Sequence, residues 1–223
     1  MNLRIIYNYV LVRLGIRHIL PSYYIRKAKV KECNEPIIKL SKDTLILSYD
    51  GKELFGRNSV VVKLERISKI LSKQGLILLI YELYRDANTQ EQMRQEQIQL
   101  LNNSYPELSY YEIKNIVDKR VSTFGSGHQT GGAVDLTICK QDGAPLDMGT
   151  NYLEFNKNTE THSKYLTQEQ INNRQLLMHL MTEEGFVNYP AEWWHFSYGD
   201  KMWAAYSHKK YAFYDIIPQE INK

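Results

Sequence analysis

Cysteine is almost missing from this 223-residue chain: Cys33 and Cys139 stand far apart and form no Cys-x-x-Cys pattern. That excludes a disulfide framework and a structural zinc knuckle, and leaves two free thiols. Charge of one sign is equally scarce. The formal net charge is +3, and Lys and Arg are dispersed instead of gathered into a basic run, so nucleic acid is not an expected partner. Apolar runs of the roughly 18 residues needed to span a bilayer are absent, as are internal repeats. What remains is a composition 43% hydrophobic and 24% charged, ordinary for a globular protein, at a length that suits a single domain with room for a cleft.

The first twenty residues carry the one ambiguous address label. Arg4 precedes an apolar stretch from Ile5 to Val12, as in a secretory signal, but Tyr7, Asn8, Tyr9 and Arg13 interrupt it and no small-residue cleavage site follows. The competing reading is an amphipathic helix packed on the body, with Leu3, Ile6, Val10 and Leu14 on its inner stripe. A cytoplasmic protein is expected, and this segment is the only one that would take it to a membrane or the periplasm. Nothing in the sequence speaks to oligomeric state.

Farther along, helices and strands alternate. Leu64, Ile67 and Leu71 recur at helical spacing within 60–74, and Gly75 stops that helix. The apolar run 76–84 has the length of a buried strand and delivers Arg85 at its carboxyl end. The Gln- and Glu-rich segment 89–101 reads as a helix. Ser109-x-x-Glu112 and Thr167-x-x-Gln170 have capping-box form and open two more, the second closing at Gly185. Residues 193–198 and 201–206 flank Gly199-Asp200 as a hairpin. The class is α+β, with a central antiparallel sheet flanked by helices.

Two stretches carry chemistry. In Ser126-Gly-His128-Gln-Thr-Gly-Gly-Ala-Val-Asp135-Leu-Thr, glycines surround a histidine and lead into a strand. Read with period two, Val134, Leu136 and Ile138 share one face and Asp135 lies on the other. A histidine among glycines is often only a solvated loop residue. A carboxylate inside an apolar strand, however, needs a cation or donors to compensate it. In Pro190-Ala-Glu192-Trp-Trp-His195-Phe-Ser-Tyr-Gly199, an acid and an imidazole stand three residues apart among aromatics. A helix would place both on one face and a regular strand would not, so either a bend near Glu192 or a satisfied core histidine is open. Two imidazoles and one carboxylate are the ligand set of a catalytic zinc that keeps a fourth position free, with Glu192 as a separate acid.

These two stretches, with Tyr84-Arg85 after a buried strand and Leu146-Asp-Met-Gly-Thr150, resemble the D-alanyl-D-alanine dipeptidases of vancomycin resistance and peptidoglycan turnover. The resemblance implies the Hedgehog-like fold of zinc D,D-peptidases over 1–223, with a catalytic core at 60–210 and a divergent segment at 1–40. It implies one Zn2+ held by His128, Asp135 and His195, Glu192 as catalytic base and Arg85 as stabiliser of the tetrahedral intermediate. Ser126 matches a position near the substrate's amino end. The substrate implied is a small D-amino-acid peptide, D-Ala-D-Ala. Alternatives are a D,D-carboxypeptidase or endopeptidase acting on longer peptidoglycan peptides, and a silent zinc-stabilised module that binds cell-wall fragments. One departure bears on this choice: where the family carries an acid for the dipeptide's ammonium, Leu153 stands here, and Glu154, one residue later, is the substrate-binding candidate in its place if the loop shifts.

Overall fold

The structure, a computed structural model, describes residues 3–16, 18–41, 45–120 and 125–218. In chain order it runs α1 (Leu3–Arg13), α2 (Ser22–Lys27), β1 (Lys29–Val30), β2 (Ile37–Lys39), β3 (Ile46–Ser48), β4 (Phe55–Arg57), α3 (Asn58–Ser72) and β5 (Leu76–Glu82). There follow α4 (Ala87–Ser104), α5 (Tyr110–Arg120), β6 (Ala133–Lys140), α6 (Gln168–Glu183), β7 (Val187–Asn188), β8 (His195–Ser197), α7 (Lys201–Tyr206) and β9 (Tyr211–Ala212).

The central sheet has the order β3-β5-β6-β8-β7. All its pairings are antiparallel except β3 with β5. Strands β5 and β6 are buried on both faces, so their sequences run nearly continuously apolar instead of alternating. Helix α3 turns Val60, Val61, Leu64, Ile67 and Leu71 into the core beneath β5. Helices α4 and α5 enclose a smaller core of Ile98, Ile113 and Val117.

Capping sets the helix boundaries. Thr167 and Gln170 satisfy each other's backbone in a complete box, Ser109 and Glu112 do the same, and Asp86 accepts from the amides of Asn88 and Thr89 to open α4.

Two expectations are corrected. Residues 201–206 form helix α7 and not the second strand of a hairpin, because the Asp200 carboxylate accepts from the Trp203 amide at 2.8 Å and caps a helix there. In α1 the inner stripe is not Leu3, Val10 and Leu14, which are exposed; Tyr9 faces inward instead and stacks on Tyr24. Among the described residues no helix is long and apolar enough to cross a membrane.

Candidate active site

The site forms where β5, β6 and β8 end together. Across the sheet, Asp135 pairs with Glu82 on one side and with His195 on the other. Directly opposed residues share a face, so His195 Nδ1 lies 2.8 Å from Asp135 Oδ1.

His128 arrives from a 3-10 turn, Gly127–Thr130, closed by a capping box between Ser126 and Gln129. Its Nδ1 lies 2.8 Å from the Leu83 carbonyl, which can only accept, so Nδ1 carries the proton and Nε2 is left to face Asp135 Oδ2 at 3.4 Å. Glycine is required on both flanks of this turn. A Cβ on Gly127 would stand 2.2 Å from Asp200 Oδ2, and one on Gly132 would stand 2.5 Å from the Tyr198 carbonyl.

Buried Asp135 would by burial alone be pushed up, yet the two imidazoles hold its carboxyl far below the usual range. For His195, burial pulls down but Asp135 more than offsets it, so the imidazole is raised. Tyr152 donates its hydroxyl to Asp135 Oδ2 at 3.1 Å, and burial keeps that phenol protonated well above its ordinary value.

The donor atoms of His128, Asp135 and His195 all lie within 4.8 Å of one another. The 3.4 Å separation between His128 Nε2 and Asp135 Oδ2 matches the edge of a tetrahedron whose bonds are roughly 2.1 Å long. Two nitrogens and one carboxylate oxygen around a common point fit zinc.

Of the two readings open at Glu192, the structure has the bend, a pair of tight turns. The Glu192 amide donates to the Tyr189 carbonyl at 2.9 Å and the His195 amide to the Glu192 carbonyl at 3.3 Å. Asn188 clamps both turns, its Nδ2 donating to the carbonyls of Glu192, Trp193 and His195. Thr161 in turn donates to Asn188 Oδ1 at 2.6 Å. Glu192 thus reaches the same cavity as His195, and burial pushes its carboxyl up to about 7, against the pull of His195 and Arg85.

Arg85 is buried beside the cavity. Its Nη1 lies 3.6 Å from Glu82 Oε2, while its Nε is buried without a partner. A guanidinium with an unused inward donor is suited to an anion that arrives with substrate.

The cavity measures about 230 Å³ and brings together six of the seven expected residues: His128, Asp135, His195, Glu192, Arg85 and Ser126. Glu154 is left out. It is exposed and accepts from Asn151 and Asn156 of its own loop, whereas Leu153, at φ +60°, lines the cavity. Nothing in the local sequence marks Glu82, Tyr152 or Asn188, which act through contacts between distant segments.

A buried two-histidine, one-aspartate centre beside a cavity acid and arginine defines a metallopeptidase. Residues 40–215 match the model of the D-Ala-D-Ala dipeptidase family, and the chain belongs to it. It is 26% identical to a D-alanyl-D-alanine dipeptidase of Synechocystis, over 84% of this chain and 94% of that protein. It is 32% identical to one from Escherichia coli, over 61% of this chain and 62% of the relative. A solved vancomycin-resistance D,D-pentapeptidase in complex with Zn(II) superposes with a TM-score of 0.47 at 16% identity, over 88% of this chain and 92% of that one.

Proposed function

We propose that the chain hydrolyses the amide bond of D-Ala-D-Ala, with zinc held by His128, Asp135 and His195. When bound, zinc polarises a carbonyl and brings the pKa of water towards neutrality. Glu192 takes the proton of the attacking water and passes it to the departing amine, from its place in the cavity beside His195. Arg85 donates to the oxyanion that develops on the scissile carbonyl and keeps its charge throughout. The observation that carries this reading is the convergence of Glu192 and Arg85, neither needed to hold a metal, on the cavity lined by the three ligands. A silent binding module would need neither.

A second reading, cleavage of longer D,D-peptides, is favoured by one feature. Leu153 lines the cavity and Glu154 points away, so no carboxylate from that loop meets a free ammonium. Comparing D-Ala-D-Ala with N-acetyl-D-Ala-D-Ala separates the two: the dipeptidase reading expects the blocked peptide to be cleaved at least 100-fold more slowly, and comparable rates overturn it. Glu192→Gln is expected to retain zinc at wild-type stoichiometry and lose about 10²- to 10⁴-fold in kcat; unchanged turnover removes Glu192 as the base.

A further inference from the structure

Helix α1 has two apolar faces, and the body covers only one. Tyr9 stacks on Tyr24 with ring centroids 4.0 Å apart, and Arg13 donates to the Tyr9 hydroxyl and contacts His208. On the other side Leu3, Tyr7, Val10 and Leu14 recur at helical spacing and are 82%, 61%, 44% and 67% exposed, and Ile16 continues the patch at 64%. An uncovered apolar stripe of this extent marks a face that meets a partner.

Charge points to what covers it. Residues 1–31 hold seven Lys and Arg and no Asp or Glu. The parallel pairing of β1 with β9 brings more basic residues to the same edge from the far end of the chain. Lys29 is opposite Tyr211, and Lys209 and Lys210, both exposed, immediately precede it. Arg26 and Lys27 of α2 are exposed beside them. The contact of Arg13 with His208 joins the apolar stripe to this basic edge. Ile25 of α2 lines the catalytic cavity, so the segment borders its mouth.

We propose that the outer face of α1 and the adjoining basic edge form a docking surface for an anionic lipid bilayer, with the helix lying in the plane of the headgroups. An apolar stripe flanked by cations and tyrosines is the make-up of an interfacial helix. A second copy of the chain fits less well, because a two-fold contact through this face would set one cationic edge against another. The helix spans only 11 residues, enough to lie on a membrane and too few to cross it.

The test is co-sedimentation of the full, zinc-loaded chain with vesicles of phosphatidylcholine alone or mixed with phosphatidylglycerol. Binding to the anionic vesicles at least tenfold above the neutral ones is expected, with release in 0.5 M salt, where screening shortens to about 4 Å. Val10→Gln with Leu14→Gln is expected to abolish it. Lys209→Gln with Lys210→Gln is expected to weaken it roughly 25-fold, at about fivefold per basic residue near such a surface. All these positions lie outside the catalytic cavity, so peptidase activity in solution is the control that each variant folds. Failure to bind anionic vesicles, or equal binding to both kinds, overturns the proposal. So does a concentration-dependent dimer that Val10→Gln with Leu14→Gln dissolves while vesicles capture nothing.

Discussion

Asp135 is the residue on which the site's electrostatics turn, since both imidazoles and the Tyr152 hydroxyl converge on one buried carboxylate. Tyr152 is held by its own packing. It stacks on Tyr81 with ring centroids 4.2 Å apart and meets Trp194 edge-on. Removing only the hydroxyl therefore leaves the ring in place and takes one donor from a metal ligand. Tyr152→Phe is expected to weaken zinc affinity about tenfold, read by competition with a chromogenic chelator, with the thermal midpoint of the zinc-loaded protein within a few degrees of wild type. The neighbouring loop makes the opposite prediction. Because Glu154 is exposed and satisfied by Asn151 and Asn156, Glu154→Gln is expected to leave KM for D-Ala-D-Ala within about twofold, and a tenfold rise would place its carboxylate on the substrate. At this scale the clustering of His128, Asp135 and His195 is legible in the sequence because an aspartate amid Val134 and Leu136 is conspicuous. Tyr152 is not, because nothing near it in sequence states that Asp135 is its partner.

At the scale of elements, the decisive piece is the double turn that connects β7 to β8. Spacing alone leaves Glu192 and His195 on opposite faces of a strand, and the turn resolves this by letting the strand begin only at His195. Asn188 holds the geometry by donating to the carbonyls of Glu192, Trp193 and His195, which ties both turns to one side chain. Asn188→Ala is expected to cost about 1–3 kcal/mol of stability and to lower kcat more than KM, measured by urea titration and steady-state kinetics. A loss of stability with kinetics unchanged would mean that the turn keeps Glu192 in place without this clamp. A bend is one of the two readings the sequence leaves open; its agent is not readable there. Helix boundaries at Asp86, Ser109 and Thr167 are legible because capping is local chemistry. The reading of 201–206 as a strand failed for the same reason in reverse. In Gly199-Asp200 the dipeptide has turn composition, but the Asp200 carboxylate caps a helix that contains two alanines.

For the whole molecule, the centre joins three strand ends and a glycine-bounded turn around charges that are costly to bury, so stability, metal and pH are linked. The chelated protein isolates the contribution of Glu192. Its ordinary value near 4.5 rises to about 7 in the fold, mainly through burial, so between those two values the folded chain retains a proton that the unfolded chain has released. Stability from this group is therefore fully present below about 4.5 and falls as pH rises through 7, at about 1.4 kcal/mol per unit across the window. His195, also raised, slopes in the same direction, which makes the wild-type curve alone ambiguous. The difference between wild type and Glu192→Gln removes most of the His195 contribution, because Asp135, present in both, raises that imidazole more than Glu192 does. In excess chelator, the thermal midpoints of the two proteins are expected to coincide near pH 4.5 and to diverge towards pH 8, with the glutamine variant the more stable. Parallel curves would mean that Glu192 is already ionised at neutral pH in the metal-free fold, and the balance of burial against His195 and Arg85 would then lie with the charges.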